Sequence, residues 1–270
     1  MADHQAVLHK GECKLLIFHD LSRRSEQPTV AALGFFDGVH RGHRAVIAEA
    51  RTQAYARGAE CAVFTFEPPH HTDRTVSKSD VKLLQSAEER YRVMKELGVG
   101  LVLCPPFESF YNFSPEDFVR EILKNCLNCC GVVCGKDYRF GKKGAGNVAL
   151  LRELAEPYGI TVTALEPVTW KGETVSSSRI RRCLAEGNAE LAAELLGTPY
   201  TVTGKSECRE GQNLLRLPPE MASPANGRYR GIDLTGEAKP VRLTVQEGTV
   251  LWQGEESTGQ MVQLAFLARE

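Results

Sequence analysis

Thr29-Val30-Ala31-Ala32-Leu33-Gly34-Phe35-Phe36-Asp37-Gly38-Val39-His40-Arg41-Gly42-His43 is the stretch on which the fold turns. Thr29 to Gly34 is a short and nearly continuous apolar run, as in a strand covered on both faces. Polar turn residues and two glycines follow, and an amphipathic segment from about 43 to 57 reads as a helix. In open α/β sheets ligands bind beyond the carboxyl ends of strands, near helix N-termini whose unpaired N–H groups face phosphate. Gly38 and Gly42 remove side chains where backbone must approach a ligand closely. His40 and His43, three apart, point the same way across the first helical turn. Two imidazoles beside phosphates suit phosphoryl or nucleotidyl transfer, because they hydrogen-bond oxygens on which charge builds. A shared metal ion is the rival reading, and it lacks a third ligand nearby. Two surface histidines at a helix start would leave the glycines unexplained.

The same alternation extends on the C-terminal side. Cys61 to Phe66, Val99 to Leu103, Gly131 to Gly135 and Thr161 to Leu165 read as further strands. Helices are expected at about 86–97, 115–125 and 148–157. Ser86 with Glu89 has capping-box form, and Ser114-Pro115-Glu116-Asp117 puts proline and acid in a first turn. Strand and helix in repeated succession predict an α/β fold with a parallel sheet and helices on both faces. Arg179 to Leu196 is helical with an interruption at Gly187-Asn188, and Gly197-Thr198-Pro199 closes it. After Tyr200 the helices cease. Tyr200 to Val202, Arg228 to Leu234, Val241 to Val245, Thr249 to Trp252 and Gln260 to Leu267 predict a small β-barrel-like domain leaning on the first. The expected division is residues 1–186, a helical linker 187–199 and a β domain 200–270.

Composition narrows the function classes. Of 270 residues, 42% are hydrophobic and 25% charged, and the formal net charge is -1. That balance argues against a broad grip on nucleic acid or an acidic membrane surface. No run approaches the roughly 20 apolar residues of a membrane span. Met1-Ala2-Asp3-His4-Gln5 has neither the basic start nor the apolar run of a signal peptide, so a cytoplasmic location is expected. Of nine cysteines, Cys126, Cys129, Cys130 and Cys134 crowd together. Zinc sites usually join two ligand pairs across a longer loop, so packing of small thiols in a reducing compartment is the expectation.

Two further segments carry chemistry. Gly135-Lys136-Asp137-Tyr138-Arg139-Phe140-Gly141 ends a strand with aromatics suited to a flat ring and an acceptor in Asp137, although a plain glycine-rich turn also fits. Ser177 and Ser178 precede a helix opened by Arg179 and Arg181, a set of hydroxyls, N–H groups and guanidinium forks that suits a triphosphate. An ordinary serine cap with solvated arginines is the alternative.

Taken together these segments resemble the bacterial bifunctional riboflavin kinase/FMN adenylyltransferase (FAD synthetase) family over roughly residues 15–205. Gly34 to His43 is similar to its G-x-F-D-G-x-H-x-G-H motif, Val132 to Gly141 to its V-V-x-G-x-D-F-x-F-G flavin motif, and Val175 to Arg181 to its I-S-S-T-R-I-R motif. The resemblance implies a Rossmann-like nucleotidyltransferase domain that transfers AMP from ATP to FMN with Mg²⁺, releasing FAD and pyrophosphate. It implies that His40 and His43 are catalytic. Gly34, Phe35, Asp37, Gly38, Gly42, Ser177, Ser178, Arg179 and Arg181 would bind ATP, and Asp137, Tyr138 and Phe140 would bind flavin. It implies no resident protein-held metal, nucleic acid or membrane partner, and says nothing of protein partners.

The sequence also departs from the family. Thr65-Phe66-Glu67-Pro68-Pro69-His70 replaces T-F-D-P-H-P, and Ser178 replaces a threonine. Where the family's kinase half has G-x-x-L-G-F-P-T-A-N-L, this chain reads Glu210-Gly211-Gln212-Asn213-Leu214-Leu215-Arg216-Leu217-Pro218, sharing only Asn213-Leu214. The final strand Met261 to Leu267 carries no carboxylate, with Glu247, Glu255 and Glu256 nearby in sequence. Riboflavin kinase activity is therefore expected to be lost. Transfer to another phosphorylated small molecule and a non-catalytic flavin- or nucleotide-binding regulator are the alternatives.

Overall fold

The computed structural model describes residues 15–68, 82–254 and 257–270. Met1 to Gln5, Pro69, His70, Glu255 and Glu256 lie outside the described residues. The first sheet has six strands: β1 (Leu16–Phe18), β2 (Thr29–Leu33), β3 (Glu60–Phe64), β4 (Leu101–Leu103), β5 (Cys129–Gly135) and β6 (Thr161–Leu165). Their order is β1-β4-β3-β2-β5-β6 and every pairing is parallel. All five residues of β2 are buried. Its pleat sends Val30 and Ala32 to one core and Ala31 and Leu33 to the other. The first core is closed by Val46, Ile47 and Ala50 of α1 (Arg41–Ala56) and by Val93 and Met94 of α2 (Ala87–Glu96). The second is closed by Val119, Ile122 and Leu123, and by Val148 and Leu151 of α4 (Val148–Ala155).

That three-layer arrangement explains why the central strands read as unbroken apolar runs: β2, β3, β4 and β5 are covered on both faces. It also places the ligand crevice. From β2 the chain moves outward through β3 and β4, then crosses to β5 on the other side of β2. The carboxyl ends of β2 and β5 are therefore the switch point of the sheet.

Several local expectations shift. The helix after β2 starts at Arg41 rather than near residue 43, because His40 itself is the N-cap. The helix expected at 115–125 opens as α3 (Pro115–Asp117), capped by Ser114, and continues with π hydrogen bonding over Phe118–Cys126. The edge strand β1 was not expected: it is three residues long, with Leu16 exposed, so it lacks an apolar signature. The cysteine cluster lies where the second core needs small apolar groups. Cys126, Cys129 and Cys134 are buried, and burial pushes the Cys129 thiol up to about 12 and Cys134 to about 11. Among the described residues no three His, Cys, Asp or Glu side chains converge as a metal site.

Beyond β6 comes a hairpin of β7 (Thr169–Trp170) and β8 (Glu173–Thr174), then α5 (Ser177–Ala185) and α6 (Ala189–Leu196). Gly187, at φ 79°, and Asn188, whose side chain accepts from the Leu191 N–H, make the break between the last two. The second sheet is antiparallel with seven strands: β9 (Tyr200–Lys205), β10 (Glu207–Arg209), β11 (Gln212–Arg216), β12 (Gly227–Asp233), β13 (Lys239–Gln246), β14 (Thr249–Trp252) and β15 (Met261–Arg269). Their order is β10-β11-β14-β13-β12-β15-β9. The sheet curls into a half-barrel, bringing Gly204 of β9 so close to Leu215 that a Cβ there would sit 2.7 Å from its side chain. Tyr200, Tyr229, Leu243, Trp252 and Phe266 share one core with Ile180, Leu184, Ala192 and Leu195 of the two preceding helices. A sheet this small completes its core by borrowing theirs.

The β10–β11 hairpin occupies the segment that sequence reading matched to the kinase motif. Glu210 and Gly211 both have positive φ, 52° and 76°, as a two-residue hairpin turn requires. Asn213 is buried in β11, where its Oδ1 accepts from the Ser257 N–H at 3.2 Å. Glu247 likewise sits in the turn between β13 and β14 with φ 47°.

Candidate active site

The loop after β2 is strained. Phe36 and Val39 have φ of 55° and 35°, and Gly38 lies between them at 86°. A β-branched residue in that region is a genuine outlier, and such strain persists only where surroundings over-determine it. Here they do. The Phe35 carbonyl accepts from Thr65 Oγ1 at 2.8 Å and from an Arg90 guanidinium N–H at 3.2 Å. The Val39 carbonyl accepts from Arg44 Nε at 3.0 Å. Gly38 has no room for a side chain, since a Cβ would meet Leu84 at 2.7 Å.

Asp37 ties this loop to two other segments. Its side chain is fully buried, accepting from the Leu84 N–H at 2.8 Å and pairing with Arg181 at 2.5 Å. Its backbone carbonyl accepts from Ser177 Oγ at 2.8 Å. Burial raises the Asp37 carboxyl above its ordinary range, against the pull of Arg181, the Leu84 N–H and Arg90. The consequence is geometric: the N-terminus of α5 is clamped against the N-terminus of α1. Gly42 is close enough to the other helix start that a Cβ on it would lie 3.8 Å from the Val175 carbonyl. Helix N-termini brought this close together favour negative charge between them.

His40 and His43 stack at this junction, with ring centroids 3.6 Å apart and planes 15° off parallel. His40 Nδ1 accepts from the His43 N–H at 3.3 Å, capping α1. A neutral imidazole that accepts at Nδ1 carries its proton on Nε2. Gly42 is what lets the ring fold back, since a Cβ there would stand 3.2 Å from it. Burial pushes His40 down to about 4. His43 is pushed well below its ordinary value by burial first, then by the charges of His40 and Arg90. Both rings are therefore neutral near pH 7, hydrogen-bond donors rather than cations. His43 also packs on Phe36 at 5.0 Å, and its Nδ1 is enclosed without a hydrogen-bond partner.

The remaining sequence-derived residues spread over three positions. Ser177 is in the clamp and Ser178 lies exposed in the same first helical turn, while Ser176, not Ser177, is the N-cap. Arg181 binds Asp37 and the Lys82 carbonyl at 2.6 Å. Arg179 is buried and turned to the β7–β8 hairpin, donating to the Trp170 and Glu173 carbonyls at 3.1 and 3.0 Å. On the far side of the crevice, Asp137 is exposed, and Gly135 leaves space for its Oδ1, 2.7 Å from where a Cβ would be. Tyr138 is half-buried and nearly parallel to Phe140, 6.2 Å away. Phe140 is a core residue, only 4% exposed and set against Phe118. Gly34, Phe35, Asp37, Gly38 and Gly42 all belong to the strained loop and its clamp.

Sequence reading missed two contributors. Phe66 stacks on Phe35 at 4.9 Å, and Phe107 follows at 5.4 Å, making an aromatic row from the strained loop across the ends of β3 and β4. Arg90 lies behind that row, 2% exposed, with its guanidinium 5.6 Å from the Phe35 ring centre. The available signal was its position: Arg90 shares a helical stripe with the buried Val93 and Met94, where a charge is out of place.

A family model described as FAD synthetase matches residues 22–179. That span is more than half of the chain and takes in the strained loop, the turn after β5 and the start of α5. The chain belongs to the FAD synthetase family. Among curated relatives, the bifunctional riboflavin kinase/FMN adenylyltransferase of Listeria monocytogenes is 40% identical over 176 residues, 65% of this chain and 55% of that protein. The Escherichia coli K12 protein of the same name is 32% identical over 188 residues, 69% of this chain and 60% of its own length. The bifunctional riboflavin kinase/FMN adenylyltransferase of Pseudomonas fluorescens is 32% identical over 219 residues, 81% of this chain and 69% of the other. This chain thus spans a little over half the length of the Listeria relative. The crystal structure of a macrolide-efflux protein from Streptococcus pneumoniae superposes with a TM-score of 0.85, covering 95% of this chain and 90% of that one. At 22% identity that likeness shows the fold alone, the curled second sheet included. Among the described residues no helix is long and apolar enough to cross a membrane.

Proposed function

We propose that this chain transfers AMP from ATP to FMN, forming FAD and pyrophosphate. The observation that carries the reading is the Asp37 clamp, in which Ser177 and Arg181 of one motif bind the backbone and side chain of the other. The clamp builds a single anion pocket from two helix N-termini. The FMN phosphate oxygen attacks the α-phosphorus of ATP as the bond to the β-phosphate oxygen breaks, and pyrophosphate leaves. Neutral His40 and His43 donate N–H groups to phosphoryl oxygens as charge grows there, a role that needs no proton transfer. The Ser178 hydroxyl and the N–H groups of the two helix starts hold the leaving pyrophosphate, while the Ser177 hydroxyl stays on the Asp37 carbonyl. Arg181 and Arg179 act chiefly as positioning residues, one on Asp37 and the other on the β7–β8 hairpin. The isoalloxazine lies toward Asp137, Tyr138 and the Phe35–Phe66–Phe107 row. With no converging trio of protein ligands among the described residues, Mg²⁺ would be carried by the nucleotide phosphates, neutralising their charge. A cytoplasmic setting belongs to the same reading, since that is where ATP is abundant and free thiols stay reduced.

The reading includes loss of riboflavin kinase activity. Kinase chemistry needs groups that hold the ATP phosphates and a base or orienting group for the ribityl hydroxyl. Here the corresponding segment is a tight hairpin whose Asn213 is committed to Ser257, and β15 carries no carboxylate. One experiment tests both halves: the purified chain is incubated with Mg²⁺ and ATP plus either FMN or riboflavin, and products are separated by chromatography. FAD from FMN alone is expected. No FAD from FMN overturns the transferase reading, and FMN from riboflavin overturns the loss of kinase activity.

A further inference from the structure

Arg90 presents an electrostatic problem. Its side chain is 2% exposed, and among the described residues no carboxylate lies within ion-pair distance of it. One guanidinium N–H reaches the Phe35 carbonyl, the Phe35 ring lies over it, and Nε is buried with no partner. The guanidinium has five donors and stays charged under all ordinary conditions. A buried charge of that kind is costly unless something compensates it. Asp37 feels its charge but already belongs to Arg181. The other groups in its field, His43, the Tyr91 hydroxyl and the Cys104 thiol, are neutral, and the His43 Nδ1 is also enclosed and unpartnered. Two unsatisfied buried polar atoms thus stand on the inner side of the loop that forms the anion pocket.

We infer that Arg90 is the fixed positive charge of this pocket, an electrostatic positioning residue whose missing counter-charge is a phosphate group of the bound ligand. Placed behind the Phe35 carbonyl, it acts through the strained loop without touching the ligand. The low-dielectric wall between them transmits its field with little screening. In the free protein the charge is a liability held in place by packing. On binding, the polyanion supplies the missing half of the pair. The inference rests on the anion-binding part of the proposed function and is independent of which acceptor receives AMP.

The test uses inorganic pyrophosphate with Mg²⁺ as the probe, titrated calorimetrically into the full chain, beside thermal unfolding of the free protein. Arg90→Met should leave the unfolding temperature unchanged or raise it, while weakening pyrophosphate binding roughly tenfold or more, as loss of a nearby unscreened charge demands. Arg90→Lys, which keeps charge but not the planar fork, should recover most of the affinity. Wild-type affinity in Arg90→Met would overturn the inference. So would a marked fall in its unfolding temperature, because the charge would then have been satisfied inside the free protein. Equal loss of affinity in the lysine and methionine variants would assign the effect to shape and overturn it too. A wild-type chain that makes no FAD, yet shows the Arg90-dependent pyrophosphate binding, would sink the transferase proposal and leave this inference standing.

Discussion

Replacing His40 with asparagine should make the protein less sensitive to acid, and the size of the effect follows from the buried ring. In the unfolded chain His40 titrates near 6.5, and in the folded protein burial lowers this to about 4. The sign is fixed by which state binds more protons. Between those two values the unfolded chain is protonated and the folded one is not, so stability falls as pH drops from about 6.5 toward 4. At about 1.4 kcal/mol per pH unit the full loss is about 3 kcal/mol, of which about 2 kcal/mol has gone by pH 5. His43 is lowered in the same direction and adds to the loss. Asp37 is raised, so protonation favours the folded state and opposes the trend near the acid end. Asparagine is among the best N-cap residues, so His40→Asn keeps an acceptor for the His43 N–H while deleting the titration. Urea unfolding of both proteins at pH 7.5, 6.5, 5.5 and 5 gives the difference, to which relief of His43 from the neighbouring His40 charge adds in the same direction. The stability gap should shift toward the variant by about 2 kcal/mol between pH 7.5 and 5. Parallel curves across that range would mean that His40 is not a buried neutral imidazole, and the donor role built on it would fall.

Three further outcomes are expected. His43→Ala should lower kcat for FAD formation by roughly 10²–10³ with little change in ATP affinity, as loss of a donor to developing charge does; lost affinity with unchanged turnover at saturation would make the residue a binding group only. Asp137→Ala should raise KM for FMN and leave KM for ATP alone, measured by varying each substrate at saturation of the other; the reverse pattern would move the 135–140 turn to the nucleotide side. Gly42→Ala should cut activity by displacing the His40 ring, since the new Cβ would lie 3.2 Å from it, and an active variant would show that the ring moves away at no cost.

Much of the sheet could be read from sequence because burial on both faces leaves a nearly unbroken apolar run, and β2, β3, β4 and β5 each present one. The exceptions have physical reasons. Three-residue β1 at the sheet edge has an exposed leucine and no pattern long enough to notice. The β10–β11 hairpin is short and polar, and its turn residues Glu210-Gly211 were read as a decayed motif rather than as two positions with positive φ. The start of α1 was misplaced because histidine is an uncommon cap. Only the contact between His40 Nδ1 and the His43 N–H, permitted by Gly42, reveals it.

The site shows the same division between what is local and what is not. His40, His43, Ser177 and Arg181 are legible because their motifs are local, yet spacing alone does not say what joins them. The join is Asp37, a residue that in sequence looks like a polar turn position and in the fold is wholly buried. A carboxylate there does for two helix N-termini what a covalent link would do, and it can do so only where Leu84 and the Ser177–Arg181 turn of α5 arrive from two distant parts of the chain. The positive φ of Phe36 and Val39 is the conformational cost of presenting Asp37 inward and the histidines at the helix start within seven residues. Strain of this kind carries no compositional signature. Its survival in a loop whose residues 36–40 are all buried is the physical reason for proposing that the chemistry belongs there rather than to the exposed turn after β5.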